Sequence, residues 1–411
     1  MSFAKNMLDR MYPPSYFIAK VGSPAALANL VKVDEMALAG TYPVLSDLIP
    51  ALYVAALLCV VRWALHRCMF RPLAVAALKL EEVVLNCRDH RVESAYKKNK
   101  KPSDAALTKL LKELNDDSLD LYALQQEFWL RRRRDSQELR ITKFVEALWR
   151  CIFYTFFTLV GFFTLYWPVP VPWVKSPLLY FDHWPVEPLD MAVQSYYLME
   201  LGSYIHQLLW TDVSRSDSVE MMAHHIITIL LISFSYVFSF MRIGTIIMAI
   251  HDLPDVFLEA GKCMNYIGKA KGGKWMSPYT DVMFGIFATL FFVTRIVIYP
   301  YMVLTANTVC HKAFGEGNTP SYLFFIGLLA ALQFLHWFWF YLIIRMAYRL
   351  LWLNGGTEDI RSDDDDEDEL ETPVVAKKKA KVTPPSDEDA SSPAATVRRR
   401  RSTRSTTKKE M

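Results

Sequence analysis

Blocks of about twenty mostly apolar residues alternate with short polar segments from residue 46 to residue 352 of this 411-residue chain. A helix of that length matches the roughly 30 Å hydrocarbon core of a bilayer. The pattern therefore predicts an all-α, polytopic membrane protein in which about seven transmembrane helices form a bundle. The predicted spans lie at about 46–66, 144–167, 190–210, 222–241, 244–262, 281–304 and 322–352.

Two of these spans differ from a simple apolar helix. The third is more polar than the others, and the fifth contains the sequence HDLPD. We expect HDLPD to interrupt the fifth span, because Pro254 frees a backbone carbonyl and favours a kink. Membrane helices tolerate such a proline where neighbouring groups satisfy the freed carbonyl.

The distribution of Lys and Arg predicts the orientation of the chain. Basic residues are concentrated in residues 67–143, in residues 262–274 and in the C-terminal tail, whereas 168–189 and 305–321 carry one Lys each. Basic loops face the cytosol. Seven spans place all three basic segments on that side, so we expect a luminal N-terminal segment over 1–45 and a cytosolic tail over 353–411. The tail combines an acidic run with two basic runs and is expected to be disordered.

The polar segment between the first two spans, residues 67–139, is basic and helix-prone. It ends in QEFWLRRRRDSQELR, which could bind nucleic acid or lie against anionic lipid headgroups. We favour the headgroups. The six cysteines are scattered, with no CxxC pair, and therefore indicate neither a zinc site nor a disulfide-stabilised ectodomain.

Ionisable side chains inside predicted spans mark the candidate site, because a charged group there is costly and usually serves a function. His224 and His225 are adjacent at the start of one span, and the next span contains the pair His251–Asp252. Asp255 lies one helical turn after Asp252, on the same face. Further ionisable residues in the spans are Glu200, His206, Glu259, Arg295 and His336.

Three reaction classes could use such a cluster. Metal-dependent lipid oxidation would need histidine boxes with HxxxH or HxxHH spacing, which this chain lacks. A serine nucleophile would favour a GxSxG elbow, which is also missing. Acyl transfer by histidine fits best, because an imidazole can act as general base or as nucleophile and a carboxylate can orient it.

The stretch from 212 to 268 carries a resemblance to a known family. Its sequence, DVSRSDSVEMMAHHIITILLISFSYVFSFMRIGTIIMAIHDLPDVFLEAGKCMNYIG, resembles the signature motif of ceramide synthases, the longevity-assurance branch of the TLC-domain proteins. The preceding QSYYLMELGSYIHQLL is similar to the span that comes before the motif in that family. The resemblance implies a TLC-type catalytic membrane domain over about 140–352.

The resemblance also implies the reaction and its residues. The expected activity is transfer of a fatty acyl group from acyl-CoA, a co-substrate, to the amine of a long-chain sphingoid base, with no metal or organic cofactor. His224 and His225 would be base or nucleophile, and Asp252 and Asp255 would orient the imidazole or bind the ammonium. Supporting or substrate-binding roles are expected for five further residues: His251, Glu200, Tyr197, Glu259 and Arg215. The alternative is a non-enzymatic TLC-type lipid sensor or transporter.

Three flanking features complete the resemblance. WLRRRR followed by KFVEALWRCIFY is similar to the end of a degenerate homeobox-like segment, but Arg132 stands where a DNA-reading homeodomain has asparagine, which argues against specific nucleic-acid binding. The acidic run after Ser362 resembles a phosphorylatable tail motif, and the final KKEM resembles an endoplasmic reticulum retrieval signal. The short loop over 305–321 is expected to influence acyl-chain length. The sequence leaves homo- or hetero-oligomerisation open.

Overall fold

The computed structural model describes residues 32–352, except for residues 38, 88, 116–118, 168–169, 177–178, 181–183, 185, 187–188, 212–216, 271–275 and 315–319. The predicted disordered tail and most of the predicted luminal N-terminal segment therefore lie outside the described residues. The described part is helical almost throughout and contains no strand, which confirms the all-α prediction.

The helices follow one another along the chain with short connections. In chain order they are α1 (Pro50–Leu65), α2 (Arg71–Ala77), α3 (His90–Lys98), α4 (Asp104–Leu114), α5 (Leu121–Tyr166), α6 (Met191–Leu209), α7 (Ser218–Val237), α8 (Met241–Ala270), α9 (Ser277–Phe291), α10 (Tyr299–Phe314) and α11 (Pro320–Trp352). A π-helical segment, His66–Phe70, joins α1 to α2, and another, Phe292–Ile298, joins α9 to α10.

Five helical stretches among the described residues are long and apolar enough to cross a membrane. They are Leu45–Ala77, Leu121–Tyr166, Ser218–Val237, Pro278–Thr308 and Leu323–Trp352. The chain is therefore a multi-pass membrane protein. Helices α6 and α8 have 19 and 30 residues, but polar side chains buried in the bundle lower their apolar character. The total of seven spans thus stays a prediction.

Helix α5 connects the two regions that the sequence separates near residue 140. It runs for 46 residues from Leu121 to Tyr166, a length of about 69 Å at 1.5 Å per residue. Asp120 caps its start by accepting a hydrogen bond from the backbone N–H of Ala123 at 2.6 Å. No proline occurs between that cap and Trp167. The basic segment and the second span therefore form a single helix.

A small hydrophobic cluster joins α3 and α4 to the first turns of α5. Val92, Leu107, Leu124 and Phe128 are buried in it, and Tyr96 packs edge-on against Phe128. Burial, with the hydrogen bond that the Tyr96 hydroxyl donates to an Asp135 carboxylate, raises the pKa of this phenol. The hydroxyl therefore remains a donor at neutral pH.

Arg131 is the polar centre of this cluster and is only 1% exposed. Its guanidinium pairs with the carboxylate of Glu127 one turn earlier on α5. It also donates to the Glu93 carboxylate at 3.1 Å and to the carbonyl oxygen of Cys87 at 2.9 Å. A buried cation with three such acceptors fixes α3 and the preceding segment to α5.

Helix α8 lies in the middle of the bundle and packs along α5 and α9, with further contacts to α6 and α7. The expectation that HDLPD interrupts this span is wrong, because the helix is continuous from Met241 to Ala270 with Pro254 in its interior. Pro254 has no N–H for the carbonyl oxygen of Ile250, four residues earlier. Arg295 donates to the following carbonyl oxygen, that of His251, at 2.7 Å.

We predict that Arg131→Met loosens the α3–α4 cluster, because it leaves the Glu127 carboxylate buried without its cation. The expected loss of local stability is about 3–5 kcal/mol. Hydrogen exchange of the α3 and α4 amides in the full-length protein would measure it. The control is Arg133→Met, which removes a pair with the 80%-exposed Glu81 side chain and should cost about 1 kcal/mol or less. Equal exchange in the two variants would contradict the role of Arg131.

Candidate active site

The two adjacent histidines lie in the second turn of α7, which begins at Ser218. The His225 side chain is buried, whereas His224 is partly exposed. Their ring centroids are 5.5 Å apart. In both residues the Nδ1 atom is buried and has no hydrogen-bond partner among the described residues. Each imidazole therefore has a nitrogen free to accept or carry a proton or another group.

Aromatic rings from two other helices hold the pair in place. The Tyr204 ring of α6 lies 6.0 Å from both imidazole centroids. The Trp339 ring of α11 meets the His224 ring edge-on at 5.3 Å. These contacts bring three helices together at one point and limit the rotation of the imidazoles.

An apolar cavity extends from His224 between α7, α8, α10 and α11. We call it the inner cavity. Tyr204, His224 and His251 line one end, and Ser235, Phe240, Asn307 and Phe325 line the other. The remaining walls are mainly leucine, isoleucine, valine and methionine side chains. The helical positions from His224 to Ser235 span roughly 16 Å, so the inner cavity is long and narrow enough to suit an alkyl chain.

A second space meets the inner cavity at His224. We call it the polar chamber, because its walls contain Lys262 and both imidazoles as well as Asp255, Glu259 and Arg295. His224 and Tyr204 line both spaces. His224 therefore lies at the boundary between an apolar cavity and a charged chamber.

Asp255 forms an ion pair with Arg295, and it does not contact the adjacent histidines through a hydrogen bond in the described structure. The Arg295 Nη2 atom lies 2.6 Å from the Asp255 Oδ2 atom. The guanidinium also stacks over the Phe291 ring at 4.7 Å. Arg295 is able to reach α8 because it lies in the π-helical segment, whose wider turns alter the direction of side chains.

His251 forms a hydrogen-bonded pair with His336 of α11. The Nδ1 of His251 donates to the carbonyl oxygen of Ile247 at 2.6 Å, so in the neutral ring Nε2 is the acceptor. That atom lies 3.1 Å from His336 Nε2, which must then donate. Both rings pack edge-on against Tyr299, at 5.5 and 5.0 Å. His251 is thus held rigidly at the wall of the inner cavity.

Asp252 lies away from the histidine pair, buried against α6. It lies beside the Glu200 carboxyl group, and both residues are less than 5% exposed. The Ser203 hydroxyl lies 2.8 Å from the Glu200 carbonyl oxygen and 3.4 Å from a Glu200 carboxylate oxygen. In the described part of the chain no hydrogen bond joins Asp252 to His224 or His225. Asp252 contacts α6, which also carries Tyr204.

The remaining predicted site residues fall in different places. Glu259 lies at the outer end of the polar chamber, near Lys262 at 3.1 Å and Arg150 at 3.5 Å. Tyr197 is buried in the core between α6, α7 and α8, where its hydroxyl donates to the Met241 carbonyl oxygen at 3.2 Å. Arg215 lies outside the described residues.

The sequence interpretation assigned no role to several residues that surround the histidines. Tyr204 and Trp339 were not identified from the sequence, because aromatic residues are common in membrane spans. Helical spacing could have suggested both, since Tyr204 is four residues after Glu200 and Trp339 is three after His336. Arg295 and His336 were recognised as ionisable residues within spans, but their partners come from distant parts of the chain.

Comparison with known proteins gives consistent matches. Residues 143–345 match the TLC domain family. Ceramide synthase 4 of Homo sapiens is 33% identical over 331 residues, which cover 78% of this chain and 79% of that protein. Ceramide synthase 4 of Mus musculus is 38% identical over 242 residues, covering 58% of this chain and 59% of that protein. Ceramide synthase LOH2 of Arabidopsis thaliana is 36% identical over 233 residues, covering 54% of this chain and 75% of that protein.

We predict that Arg295→Met lowers stability by about 3 kcal/mol, because it leaves the Asp255 carboxylate inside the bundle without its cation. The double variant Arg295→Met/Asp255→Asn should recover part of this loss. Thermal unfolding of the detergent-solubilised protein would measure both, with Asp255→Asn alone completing the cycle. Strictly additive losses would show that the two side chains do not interact.

Proposed function

Because this chain belongs to the ceramide synthase family of acyltransferases, we propose that it joins a fatty acyl group from acyl-CoA to the amine of a long-chain sphingoid base, using His224 and His225. The observation that carries this proposal is the position of His224. Its imidazole lies where the inner cavity meets the polar chamber. An acyl thioester has the same division, with an apolar chain on one side of the reacting carbonyl and a charged carrier on the other.

The acyl-CoA would lie across this boundary. Its alkyl chain would occupy the inner cavity, where each buried CH₂ contributes about 0.8 kcal/mol. The thioester carbonyl would then lie next to His224. Lys262 and Arg295 line the polar chamber and supply positive charge on the side where the CoA portion would leave the protein.

The reaction requires a free amine, because an ammonium ion has no lone pair for attack. The ammonium form first releases one proton to solvent, which leaves the neutral amine. Its nitrogen attacks the thioester carbon, and one imidazole accepts the proton that this nitrogen then loses. The C–N bond forms, the C–S bond breaks, and the CoA thiolate takes up the released proton from the imidazolium. In the covalent variant, the imidazole first displaces CoA and the amine then displaces the imidazole from the acyl carbon. Neither route needs a metal or an organic cofactor.

The two aspartates would act on the histidines indirectly. Asp255 would keep Arg295 oriented at the wall of the polar chamber through their 2.6 Å contact. Asp252 would help to fix α6, and with it Tyr204, which lies against both imidazoles.

The location of the protein extends the proposal. We propose that it lies in the endoplasmic reticulum membrane with its N-terminus in the lumen and its tail in the cytosol. This orientation places the three basic segments together on the cytosolic side of the membrane. Phosphorylation of Ser362 and retrieval through Lys408 and Lys409 belong to the same proposal. These three residues lie outside the described residues.

We expect His224→Ala and His225→Ala each to abolish or nearly abolish ceramide formation, because no neighbouring group can take over proton transfer. Asp252→Asn should also be severe and Asp255→Asn should follow. The assay is direct acylation of sphinganine by the purified protein with acyl-CoA. It also tests the lipid-sensor alternative, which predicts no product from the unmodified chain.

The matched control is His66→Ala, a histidine in the first π-helical segment, which should remain close to full activity. Intact-mass measurement after incubation with acyl-CoA alone distinguishes the two routes, since only the covalent route leaves an acyl group on His224 or His225. Normal activity in both single histidine variants, at normal expression, would refute the catalytic assignment.

Aromatic rings lie at the far end of the inner cavity. Phe240 lines it and stacks on Trp184 with ring centroids 5.7 Å apart. Its ring also contacts Phe325 at 5.6 Å. Trp184 is itself fixed, because its indole N–H donates to the Phe238 carbonyl oxygen at 2.9 Å. We therefore expect Phe240 to limit the length of an acyl chain that enters the inner cavity at His224.

We predict that Phe240→Ala shifts the products towards longer acyl chains. Room for two more methylenes would change the preference about tenfold at ~0.8 kcal/mol each. Product profiles from a mixture of acyl-CoAs would measure the shift. Phe238→Ala is the control, because Phe238 packs against Phe240 but does not line the inner cavity. A profile that follows exchange of the 305–321 loop and ignores Phe240 would assign chain length to the loop instead.

A further inference from the structure

A third space, which we call the side chamber, lies between α1, α5, α6 and the start of α7. Arg62, Glu146, His206 and Gln207 are among its lining residues. None of the roles proposed above uses it. Its walls carry charged and polar side chains at the level of the histidine pair, beside the polar chamber, and this lining requires an explanation.

The side chamber meets the polar chamber at His225, which lines both spaces together with Arg150, Tyr154 and Gln207. It shares no lining residue with the inner cavity. A molecule in the side chamber would therefore reach His225 without crossing the space proposed for the acyl chain. The acyl-CoA would occupy the inner cavity and the polar chamber, so the side chamber is the space that remains for the second substrate.

His206 is the clearest sign that the side chamber binds a ligand. Its side chain is 1% exposed, and neither ring nitrogen has a hydrogen-bond partner among the described residues. The ring is held between Trp149 at 5.9 Å and Phe153 at 6.2 Å. An unsatisfied buried polar group costs about 1–3 kcal/mol. A ligand hydroxyl would offset this cost.

Gln207 adds a second group that can bind a hydroxyl. Its side-chain oxygen accepts a hydrogen bond from the Tyr154 hydroxyl at 3.0 Å. The amide nitrogen of Gln207 then remains as a donor. Gln207 also lines both the side chamber and the polar chamber, which places this donor near His225.

The charged side chains of the side chamber are paired with one another or with a neighbour. Arg62 and Arg150 lie 3.9 and 3.7 Å from the carboxylate of Glu146, and Arg150 also lies 3.5 Å from the Glu259 carboxylate. Arg62 stacks over the Trp210 ring at 4.5 Å. Glu146, the carboxylate that lines the side chamber in the described chain, is thus already paired, so the chamber suits a head group that is bound through its hydroxyls.

We infer that the side chamber binds the amino-diol head group of the sphingoid base, with His206 and Gln207 bonding its hydroxyls and its amine directed at His225. This inference rests on the proposed function. The alkyl chain of the base would remain in the lipid beside α1 and α5, where Val60, Trp63, Ile152 and Phe156 expose apolar side chains.

The test uses the purified full-length protein with acyl-CoA and sphinganine. His206→Phe keeps the ring packing and removes both nitrogens. We expect it to raise the KM for sphinganine about tenfold, the effect of one lost hydrogen bond of about 1.4 kcal/mol. The KM for acyl-CoA should stay within about twofold. Gln207→Met provides a second variant with the same expectation, should His206→Phe not fold.

The matched control lies in the other chamber. Lys262→Ala, in the polar chamber, should raise the KM for acyl-CoA and leave that for sphinganine unchanged. An increase in the KM for acyl-CoA in His206→Phe, equal to or larger than that for sphinganine, would assign the side chamber to the donor and overturn the inference. An unchanged KM for sphinganine in both His206→Phe and Gln207→Met would also overturn it.

Acceptor analogues provide an independent measurement. The same variants are assayed with sphinganine analogues that lack either the 1-hydroxyl or the 3-hydroxyl group. For the analogue that lacks the hydroxyl bound by His206, His206→Phe should no longer raise the KM. An equal rise in KM with both analogues would refute the contact. If the unmodified protein forms no product from sphinganine at all, the proposed function fails, and that result is distinct from a failure of the side-chamber assignment.

Discussion

The contact between Arg295 and α8 is the interaction on which the site depends. This one guanidinium neutralises Asp255 and bonds the carbonyl oxygen of His251, one helical turn before Asp255. A carboxylate can therefore lie in the middle of a membrane bundle. Because α8 is continuous and packs along α5 and α9, it can form one wall of both the inner cavity and the polar chamber.

The order of polar and apolar surfaces around α8 follows from this arrangement. Towards Met241 the helix presents Ile243, Ile247 and Met248 to the inner cavity. Towards Ala270 it presents Asp255, Glu259 and Lys262 to the polar chamber. His251 marks the change between the two. A lipid substrate with a long chain and a charged carrier has the same order along its length, so one helix can position both parts of the donor.

Much of this could be predicted from the sequence, because hydrophobic period and charge segregation are local properties. The helical class, the membrane character, the histidine pair and the carboxylates of α8 all follow from residue order. Other features depend on contacts between distant residues and could not be predicted. The π-helical segment decides where Arg295 points, and the continuity of α5 joins two regions that differ sharply in composition. The pairing of His251 with His336 spans 85 residues. The orphaned nitrogens of His206 become visible only when Trp149 and Phe153 enclose the ring.

The adjacency of His224 and His225 has a physical consequence that wider spacing would not give. Side chains one residue apart on a helix point about 100° apart, whereas residues three or four apart share a face. A pair with the wider spacing would therefore put both rings into one space. In this structure His224 lines the inner cavity and the polar chamber, and His225 lines the polar chamber and the side chamber. One turn of α7 thus presents an imidazole to every space that a donor and an acceptor would need, and the polar chamber, which both rings line, is where the two substrates would meet.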